Sequence, residues 1–410
     1  MYFNEKTTKL AKQADIALAD TYAAIDAIAE QNQFRVMKAY RDHYVSESCF
    51  AGTTGYGYND KGRDVFEEIV ADVFGTEAAL ARHNFVSGTH ALATALFAVL
   101  RPGDTFYYVT GAPYDTLEQV IGISGEGMGS LKEFGVTYGQ LELTANGKID
   151  YPSLESILTC QPKLICAQRS RGYSTRLPFS VEELDELYAF VKKHSPQTLV
   201  MIDNCYGEFV EDREPKADML VGSFIKNPGG GIADTGGYIA GTRACVDLAA
   251  YRITSPGTGA EVGPSLGQTR KLMQGFFLAP HIVAQALKTV AFAAWLMEKC
   301  GYEVYPSPYA KRLDIVQSIA FHDKEKLIKF CEGIQAGSPV DAFARPEPCD
   351  MPGYEDQVIM AAGAFTQGSS IELSADAPLR EPYMLYLQGG ITFESGRWGI
   401  LTALEKILEE

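Results

Sequence analysis

Two side chains near the ends of neighbouring apolar runs could carry out amine chemistry together. Asp203 ends the run TLVMID, and Lys226 follows the run DMLVGSF after one further residue. Ligands of open α/β sheets bind beyond the carboxyl ends of the strands. Taken singly, Asp203 is explained by a helix cap or a turn, and Lys226 by an ordinary lysine at a strand end. As a pair they place a carboxylate and an amine at one edge of one sheet.

This pair predicts a site for pyridoxal 5'-phosphate. Desolvation lowers the pKa of a lysine and exposes the lone pair that attacks an aldehyde. That cofactor requires a lysine imine and an acidic partner at its ring nitrogen, the roles predicted for Lys226 and Asp203. Glycines 229, 230, 231, 236 and 237 follow the lysine. We expect them to let the backbone turn tightly beside the cofactor.

A phosphate site is predicted where the stretch FVSGTHAL turns from a strand into a helix. Backbone N–H groups at a helix N-terminus favour an anion, and Gly88 permits close approach beside Thr89. Helix capping by Ser87 or Thr89 explains the same pattern. Ser223 could add a hydroxyl to the phosphate. Tyr114, after another strand end, could stack on the pyridine ring or simply pack at the start of its helix.

Patterns for other chemistries lack the required context. Residues 263–267 read G-x-S-x-G, but the sequence before them, SPGTGAEV, is not the buried strand that a hydrolase elbow needs. No Walker A sequence, H-E-x-x-H motif or Cys/His cluster with zinc spacing occurs, so we expect no metal site.

The elements that must position these side chains alternate between strands and helices. Strands are predicted at TFYYVT, KLICAQ, TLVMID, DMLVGSF and GGYIAG, and helices at HALATALFAVL, YDTLEQVIGIS and VEELDELYAFVKKH. Continuous apolar strands separated by helices indicate an α/β fold with a mostly parallel sheet covered on both faces. We predict an N-terminal helical segment at 1–60, a large cofactor-binding domain at 61–255 and a smaller C-terminal α+β domain at 256–410.

Composition limits the partners and the compartment. The chain has 410 residues, 46% of them hydrophobic, and a formal net charge of -16, which argues against nucleic acid or an anionic membrane as a partner. Its eight cysteines form no C-x-x-C pair. Reduced thiols and an N-terminus without an apolar signal core predict a cytoplasmic protein. The apolar stretch FFLAPHIVAQALKTVAFAAWLM contains Pro280 and Lys288 and is interpreted as a buried helix pair rather than a membrane span.

The motifs SGTHAL, PYDTL, IDNCYGEF and SFIKNPGGGIADTGGYIAG resemble, in order, those of the methionine gamma-lyase-like family often labelled aluminium resistance protein. This family is close to the cystathionine beta-lyases among the fold type I pyridoxal-phosphate enzymes. The resemblance implies that Lys226 carries the cofactor and that Asp203 pairs with its ring nitrogen. Phosphate would be held by three residues: Gly88, Thr89 and Ser223. Tyr114 would stack on the ring, with His90 as an alternative at the ring or phosphate.

The resemblance also implies a site built by two subunits, and a dimer of dimers. In cystathionine lyases a tyrosine and an arginine near the N-terminus reach the neighbouring subunit's phosphate. The matching stretch here contains Tyr56, Tyr58 and Arg63.

Several positions depart from the family pattern. Ile225 stands where classical relatives have threonine before the lysine, and AQRSRGYSTR replaces an Asn-Pro near the cofactor's phenolic oxygen. That role passes to Ser170 or Arg171. For the substrate carboxylate, which a guanidinium can grip with two hydrogen bonds, Arg380 is the first choice, with Arg397 and Arg171 as rivals. Each of these arginines could instead form an ordinary ion pair.

The expected reaction is cleavage of a carbon–sulfur bond in a sulfur-containing amino acid, giving a keto acid, ammonia and a thiol. Lys226 would move the Cα proton, and Tyr114 could pass a proton to the leaving group. Two alternatives remain open at this point. One is an aminotransferase or aldolase that uses the same cofactor, and the other is a non-catalytic protein that protects against metal stress.

Overall fold

Two separate β-sheets organise the chain in a computed structural model that describes residues 2–174, 176–351 and 356–408. The strands are β1 Ala78–Arg82, β2 Thr105–Tyr108, β3 Thr137–Gln140, β4 Leu164–Gln168, β5 Leu199–Asp203, β6 Met219–Ser223, β7 Gly237–Gly241, β8 Glu303–Tyr305, β9 Val316–Ala320, β10 Val358–Ala362, β11 Ser374–Pro378 and β12 Met384–Gln388. The helices are α1 Glu5–Ala17, α2 Ala19–Asp42, α3 Lys61–Phe74, α4 Gly88–Val99, α5 Asp115–Ile121, α6 Tyr151–Leu158, α7 Val181–His194, α8 Arg243–Ile253, α9 Thr269–Lys299, α10 Lys324–Ala336 and α11 Phe393–Leu408.

The first sheet has seven strands in the order β1-β7-β6-β5-β4-β2-β3. Five strands run parallel to one another: β3, β2, β4, β5 and β6. Strand β7 is antiparallel to both of its neighbours, β6 and β1. Every predicted strand is present in this sheet. The prediction missed β1 and β3, and β3 has exposed ends, so it lacks the continuous apolar run of a central strand.

Helices cover both faces of the first sheet, as the α/β pattern predicts. One apolar core lies between the sheet and α2, α3, α7 and the first half of α9. The other lies between the sheet and α4, α5 and α8. The chain is therefore an α/β protein whose mostly parallel sheet is buried on both sides.

The second sheet is antiparallel, in the order β10-β11-β12-β9-β8. Its core also contains α10, α11, the second half of α9 and the N-terminal helix α1. The N-terminal segment thus packs with the C-terminal sheet although the two lie far apart in the sequence. The predicted domain boundaries stay a prediction.

The predicted helix pair is wrong, because α9 is one continuous helix of 31 residues with Pro280 inside it. At 1.5 Å per residue it extends for about 46 Å, and this length lets it belong to the cores of both sheets. By length and composition alone α9 could cross a membrane. However, 67% of its most apolar window is buried inside the molecule.

The glycine-rich loop after Lys226 packs backbone to backbone against α9. A Cβ at Gly230, where φ is +55°, would lie 2.3 Å from the carbonyl oxygen of Gly275, and one at Gly275 would lie 2.1 Å from that of Gly229. Glycine is therefore required by the close approach of α9. At Gly230 this contact adds to the predicted reason, a tight turn, whereas a Cβ at Gly229 would collide with the carbonyl oxygen of Phe224.

Candidate active site

The carboxyl ends of β4, β5 and β6 bring the predicted lysine and aspartate to one edge of the first sheet. Asp203, the last residue of β5, pairs in register with Gln168 on β4 and Val221 on β6. Ser223 ends β6, and Lys226 follows it by three residues. The predicted placement of Asp203 and Lys226 on neighbouring strands is confirmed.

Lys226 is surrounded by an aromatic ring and several acidic groups. Its Nζ lies 4.1 Å from the centre of the Tyr206 ring, a distance typical of a cation–π contact. Burial alone lowers the pKa of Lys226, but the acidic groups around it outweigh burial and raise that pKa above its ordinary value. These groups are Cys205, Tyr206, Asp203 and Glu208. A raised pKa favours the ammonium form of Lys226.

Asp203 is almost entirely buried, with 6% of its surface exposed. Burial raises the pKa of its carboxyl, and the charge of Lys226 and the N–H of Cys205 oppose that rise. The Cys205 N–H donates to Asp203 Oδ1 at 3.1 Å. One carboxylate oxygen is thus oriented by the turn that follows β5.

The start of α4 faces the same space, as the phosphate prediction requires. A Cβ added at Gly88 would lie 3.5 Å from Ser223 Cβ, 3.6 Å from Cys205 Sγ and 4.0 Å from Lys226 Nζ. Three side chains, those of Ser223, Cys205 and Lys226, therefore lie around one small space at a helix N-terminus. Ser223 Oγ itself accepts from the Ile225 N–H at 3.2 Å, so this hydroxyl also shapes the turn before the lysine.

Thr89 and His90 have local partners. The Oγ1 atoms of Thr89 and Thr116 lie 2.6 Å apart and join the starts of α4 and α5. His90 Nδ1 accepts from the Val86 N–H at 3.2 Å, and burial lowers the pKa of its imidazole. Its ring also meets Phe85 edge to face. The cofactor roles of Thr89 and His90 stay predictions.

A cleft of about 350 Å³ opens beside this edge and contains three predicted side chains, Tyr114, Arg171 and Arg380. Tyr114 precedes α5, and its ring centre lies 6.2 Å from that of Tyr173. Arg380 has 59% of its side chain exposed and forms an ion pair with Asp356 at 3.1 Å. The cleft thus combines aromatic rings with cationic side chains from two distant parts of the sequence.

Arg171 and Ser170 attach the loop after β4 to the second sheet. Ser170 Oγ donates to Asp314 Oδ2 at 3.1 Å, and Arg171 Nη1 donates to the carbonyl oxygen of Tyr305 at 2.9 Å. The Arg171 Nε lies 3.6 Å from Asp314 Oδ2. Among the residues described, the buried Nη2 of Arg171 has no hydrogen-bond partner.

Arg397 does not contribute to this cleft, so its predicted substrate role is corrected. Its Nη1 forms an ion pair with Asp15 on α1 at 2.7 Å, and its guanidinium lies over Phe292 and Phe393. These contacts hold α1, α9 and α11 together. The ordinary ion pair considered for this arginine is what the structure contains.

Arg63 also has its described hydrogen-bond partners within its own chain. Its Nη1 donates to the carbonyl oxygens of Gly57 at 2.8 Å and Gly263 at 3.0 Å, inside the same chain. Tyr56 and Tyr58 are 75% and 56% exposed, and their rings stack with centres 5.7 Å apart. Arg63 therefore holds the loop that displays the two tyrosines, and their contact with a partner stays a prediction.

Three residues of the site were not singled out from the sequence. Tyr206 lies within the motif IDNCYGEF, but its position under Lys226 depends on a left-handed backbone, with φ +71°. Tyr173 Oη donates to Asp376 Oδ2 at 3.0 Å, joining the loop after β4 to β11. Burial raises the pKa of Asp376 to about 6, and Tyr173, Gln388 and Lys226 oppose the rise. A turn tyrosine was the available signal for Tyr206, whereas no local pattern indicates Asp376.

A sequence profile for the family described as methionine gamma-lyase matches residues 7–408. The chain is 50% identical in sequence to a protein of known crystal structure from Listeria monocytogenes. That protein is described as a proposed cystathionine beta-lyase involved in aluminium resistance. The match has a TM-score of 0.96 and covers 98% of this chain and 100% of that one. It is 48% identical to a carbon–sulfur lyase involved in aluminium resistance from Clostridium novyi NT. There the TM-score is 0.95, with 99% of this chain and 97% of that one covered.

More distant structures share the fold alone. A pyridoxal-5'-phosphate-dependent protein from Escherichia coli is 18% identical, with a TM-score of 0.60 over 93% of this chain and 96% of that one. The fold prediction is confirmed by this likeness and by the two-sheet architecture.

Replacing Arg63 with methionine should loosen the tyrosine loop. The change keeps the aliphatic stem but removes the donors to the two carbonyls, and hydrogen bonds from a charged group contribute about 1.5–3 kcal/mol each. We expect amide hydrogens in residues 52–60 to exchange at least roughly tenfold faster by mass spectrometry. Lys61→Met is the control, because Lys61 contacts only exposed serine hydroxyls at Ser46 and Ser48 among the contacts described. Equal exchange in both variants would contradict the role given to Arg63.

Proposed function

The chain belongs to the methionine gamma-lyase family, and we propose that it is a pyridoxal-phosphate-dependent lyase that cleaves a carbon–sulfur bond in an amino acid. The substrate class is a sulfur-containing amino acid of the cystathionine or methionine type, and the products are a keto acid, ammonia and a thiol. The observation that carries the proposal is the convergence of Lys226, Asp203 and the start of α4 on one space. The names of the similar proteins from Listeria and Clostridium support the same reaction class.

The residues around this space fit the cofactor. Gly88 leaves open a volume that a side chain would fill, next to Ser223 and Lys226. The helix N-terminus there suits a phosphate, because N–H groups of the first turn have no partners within the helix. One of them, the His90 N–H, donates to the capping Ser87 Oγ at 3.0 Å. Lys226 supplies the amine for covalent attachment, and the buried Asp203 supplies the negative charge for a pyridinium nitrogen. When bound, pyridoxal phosphate supplies a ring that accepts the electron pair left at the substrate Cα.

Lys226 is the residue that moves the proton. Its amine would remove the substrate Cα proton and later return it. For this the amine must lose the proton that its acidic neighbours favour. A positively charged pyridinium ring beside the acidic groups would lower the pKa of Lys226 towards neutral pH.

The cleft orients the rest of the substrate. Arg171 and Arg380 both line this cleft, and the Arg380 side chain is 59% exposed although it forms an ion pair with Asp356. We assign the substrate carboxylate to these two arginines, because a planar guanidinium binds a carboxylate with two hydrogen bonds. Tyr114 lines the same cleft and is placed to stack on the cofactor ring and to donate a proton to the leaving sulfur.

We further propose that a second copy of the chain completes the site through Tyr56 and Tyr58. Two tyrosines that are 75% and 56% exposed, on a loop fixed by Arg63, are well suited to contact a partner. Sedimentation equilibrium should give a dimer or tetramer for the purified chain. It should shift towards smaller species when Tyr56 and Tyr58 are both replaced by serine. A monomer at micromolar concentration would refute this arrangement.

Covalent attachment and turnover test the proposed function directly. Borohydride reduction after incubation with pyridoxal phosphate should give a mass adduct on the peptide that contains Lys226, and an absorbance band in the visible range should disappear. Cystathionine, methionine and cysteine are then tested for release of keto acid and thiol without added amino acceptor. Lys226→Ala should abolish both results, whereas Lys271→Ala, at an exposed ion pair with Asp234, should retain them. An adduct on another lysine with turnover intact in Lys226→Ala would overturn the assignment.

Gly88→Ala should weaken cofactor binding without unfolding the protein. The new Cβ would meet its neighbours at 3.5–4.0 Å, an ordinary contact, and alanine at a helical position stabilises by up to about 1 kcal/mol. It would, however, fill the space assigned to the phosphate. We expect the dissociation constant for pyridoxal phosphate, measured by absorbance titration, to rise at least roughly tenfold, which is about 1.4 kcal/mol. Ala93→Ser, on the same helix, is the control, and unchanged affinity in Gly88→Ala would place the phosphate elsewhere.

A further inference from the structure

A buried carboxyl group lies behind the catalytic lysine and has no part in the reaction described above. Glu208 has no exposed surface. Its Oε1 accepts from the Tyr238 hydroxyl at 2.8 Å, while Oε2 has no hydrogen-bond partner among the residues described. Such an unpaired buried oxygen is costly, and a proton on the carboxyl would remove most of that cost.

The strand beside Glu208 is shaped to admit its carboxyl. A Cβ at Gly222 on β6 would lie 2.5 Å from Glu208 Oε1, so only glycine leaves the room. The backbone also ties this group to the lysine, because Asn227 Nδ2 donates to the Glu208 carbonyl at 3.0 Å. Asn227 directly follows Lys226, and its Oδ1 is a second buried oxygen without a described partner.

Four titratable groups face Glu208 from the elements packed around it. Tyr238 comes from β7, Lys226 from the turn after β6, and Cys205 and Glu214 from the segment after β5. Burial raises the pKa of Glu208 to about 8, with Glu214 adding to the rise and Tyr238 and Lys226 opposing it. Burial and the unpaired Oε2 thus both favour the uncharged form of the carboxyl.

We propose that Glu208 is a positioning residue that controls how readily Lys226 releases its proton. Its carboxyl is uncharged while the enzyme works. In alkaline solution it becomes a second anion near the lysine. Ionised Glu208 would stabilise the ammonium form of Lys226, since an opposite charge nearby favours the charged state. Uncharged Glu208 leaves Asp203 as the main carboxylate facing the amine. Gly222 and Tyr238 hold it in place for this purpose.

The first test uses the chain without cofactor and does not depend on the proposed function. The folded pKa of Glu208, about 8, lies above the ordinary value of 4.5. Its contribution to stability is therefore complete below about pH 4.5 and is lost as the pH rises through 8. Relative to wild type, the folding equilibrium constant of Glu208→Gln should rise at least roughly tenfold between pH 5.5 and 8.5 in urea titrations. A ratio that stays constant over this range would refute the buried neutral carboxyl.

The second test measures how fast Lys226 is modified, and it rests on the proposed function. The probe is pyridoxal phosphate, trapped on Lys226 by borohydride and counted by mass spectrometry between pH 6.5 and 9.5. Glu208→Gln and wild type should react at similar rates at pH 7, while the variant should become roughly tenfold faster near pH 9. A rate ratio independent of pH would overturn the proposal. Failure of wild type to react at all would instead count against the cofactor, and the urea titrations would still decide on Glu208.

Two further variants test whether the effect is specific to Glu208. Tyr238→Phe removes the hydroxyl that lowers the pKa of Glu208, so the alkaline slowing of Lys226 modification should move to higher pH. Glu67→Gln removes a different, partly buried carboxyl, the partner of Arg82 at 2.7 Å, and should leave the pH dependence of modification as in wild type. A change in the pH profile of Glu67→Gln equal to that of Glu208→Gln would refute a specific role for Glu208.

Discussion

A partly buried lysine at the edge of a sheet imposes the main constraint on this structure. An ammonium that loses part of its hydration needs compensating groups, so the chain must place such groups around Lys226. Asp203 supplies a buried carboxylate and Tyr206 supplies the face of a ring at 4.1 Å. Asp203 is the last residue of β5 and Tyr206 lies just after it, while Lys226 lies three residues after the end of β6. The parallel pairing of these two strands is what brings the charge and its partners together.

The part of the site that depends on strand ends could be predicted from the sequence. Asp203 and Lys226 each follow an apolar run, and parallel strands must present such residues at one edge. Residues that reach the site from the second sheet could not be predicted in this way. Asp376 sits in a short strand, and its contact with Tyr173 joins positions 203 residues apart. Arginines were the least predictable, because Arg63 and Arg397 contact groups far away in the sequence, the Gly263 carbonyl oxygen and Asp15.

The cleft depends on how the two sheets are joined. Three side chains of the loop after β4 reach the second sheet or the segments beside it, and they are Ser170, Arg171 and Tyr173. The same loop lines the cleft that contains Tyr114 and Arg380. A substrate held there would contact groups whose positions are fixed by both sheets at once. Rotation of one sheet against the other would therefore change the shape of the cleft while Lys226 and Asp203 stayed together on the first sheet.

The contact between the glycine loop and α9 has a consequence for how this sequence can vary. Gly230 and Gly275 meet through their backbones, and a Cβ on either one would lie within 2.3 Å of a carbonyl oxygen of the opposite segment. Alanine at one position cannot be offset by a smaller neighbour, because glycine is already the smallest residue. Only a shift of the whole helix could make room, and that would move the loop that carries the lysine. Any homologue that keeps this fold should therefore keep glycine at both positions, even where the substrate differs.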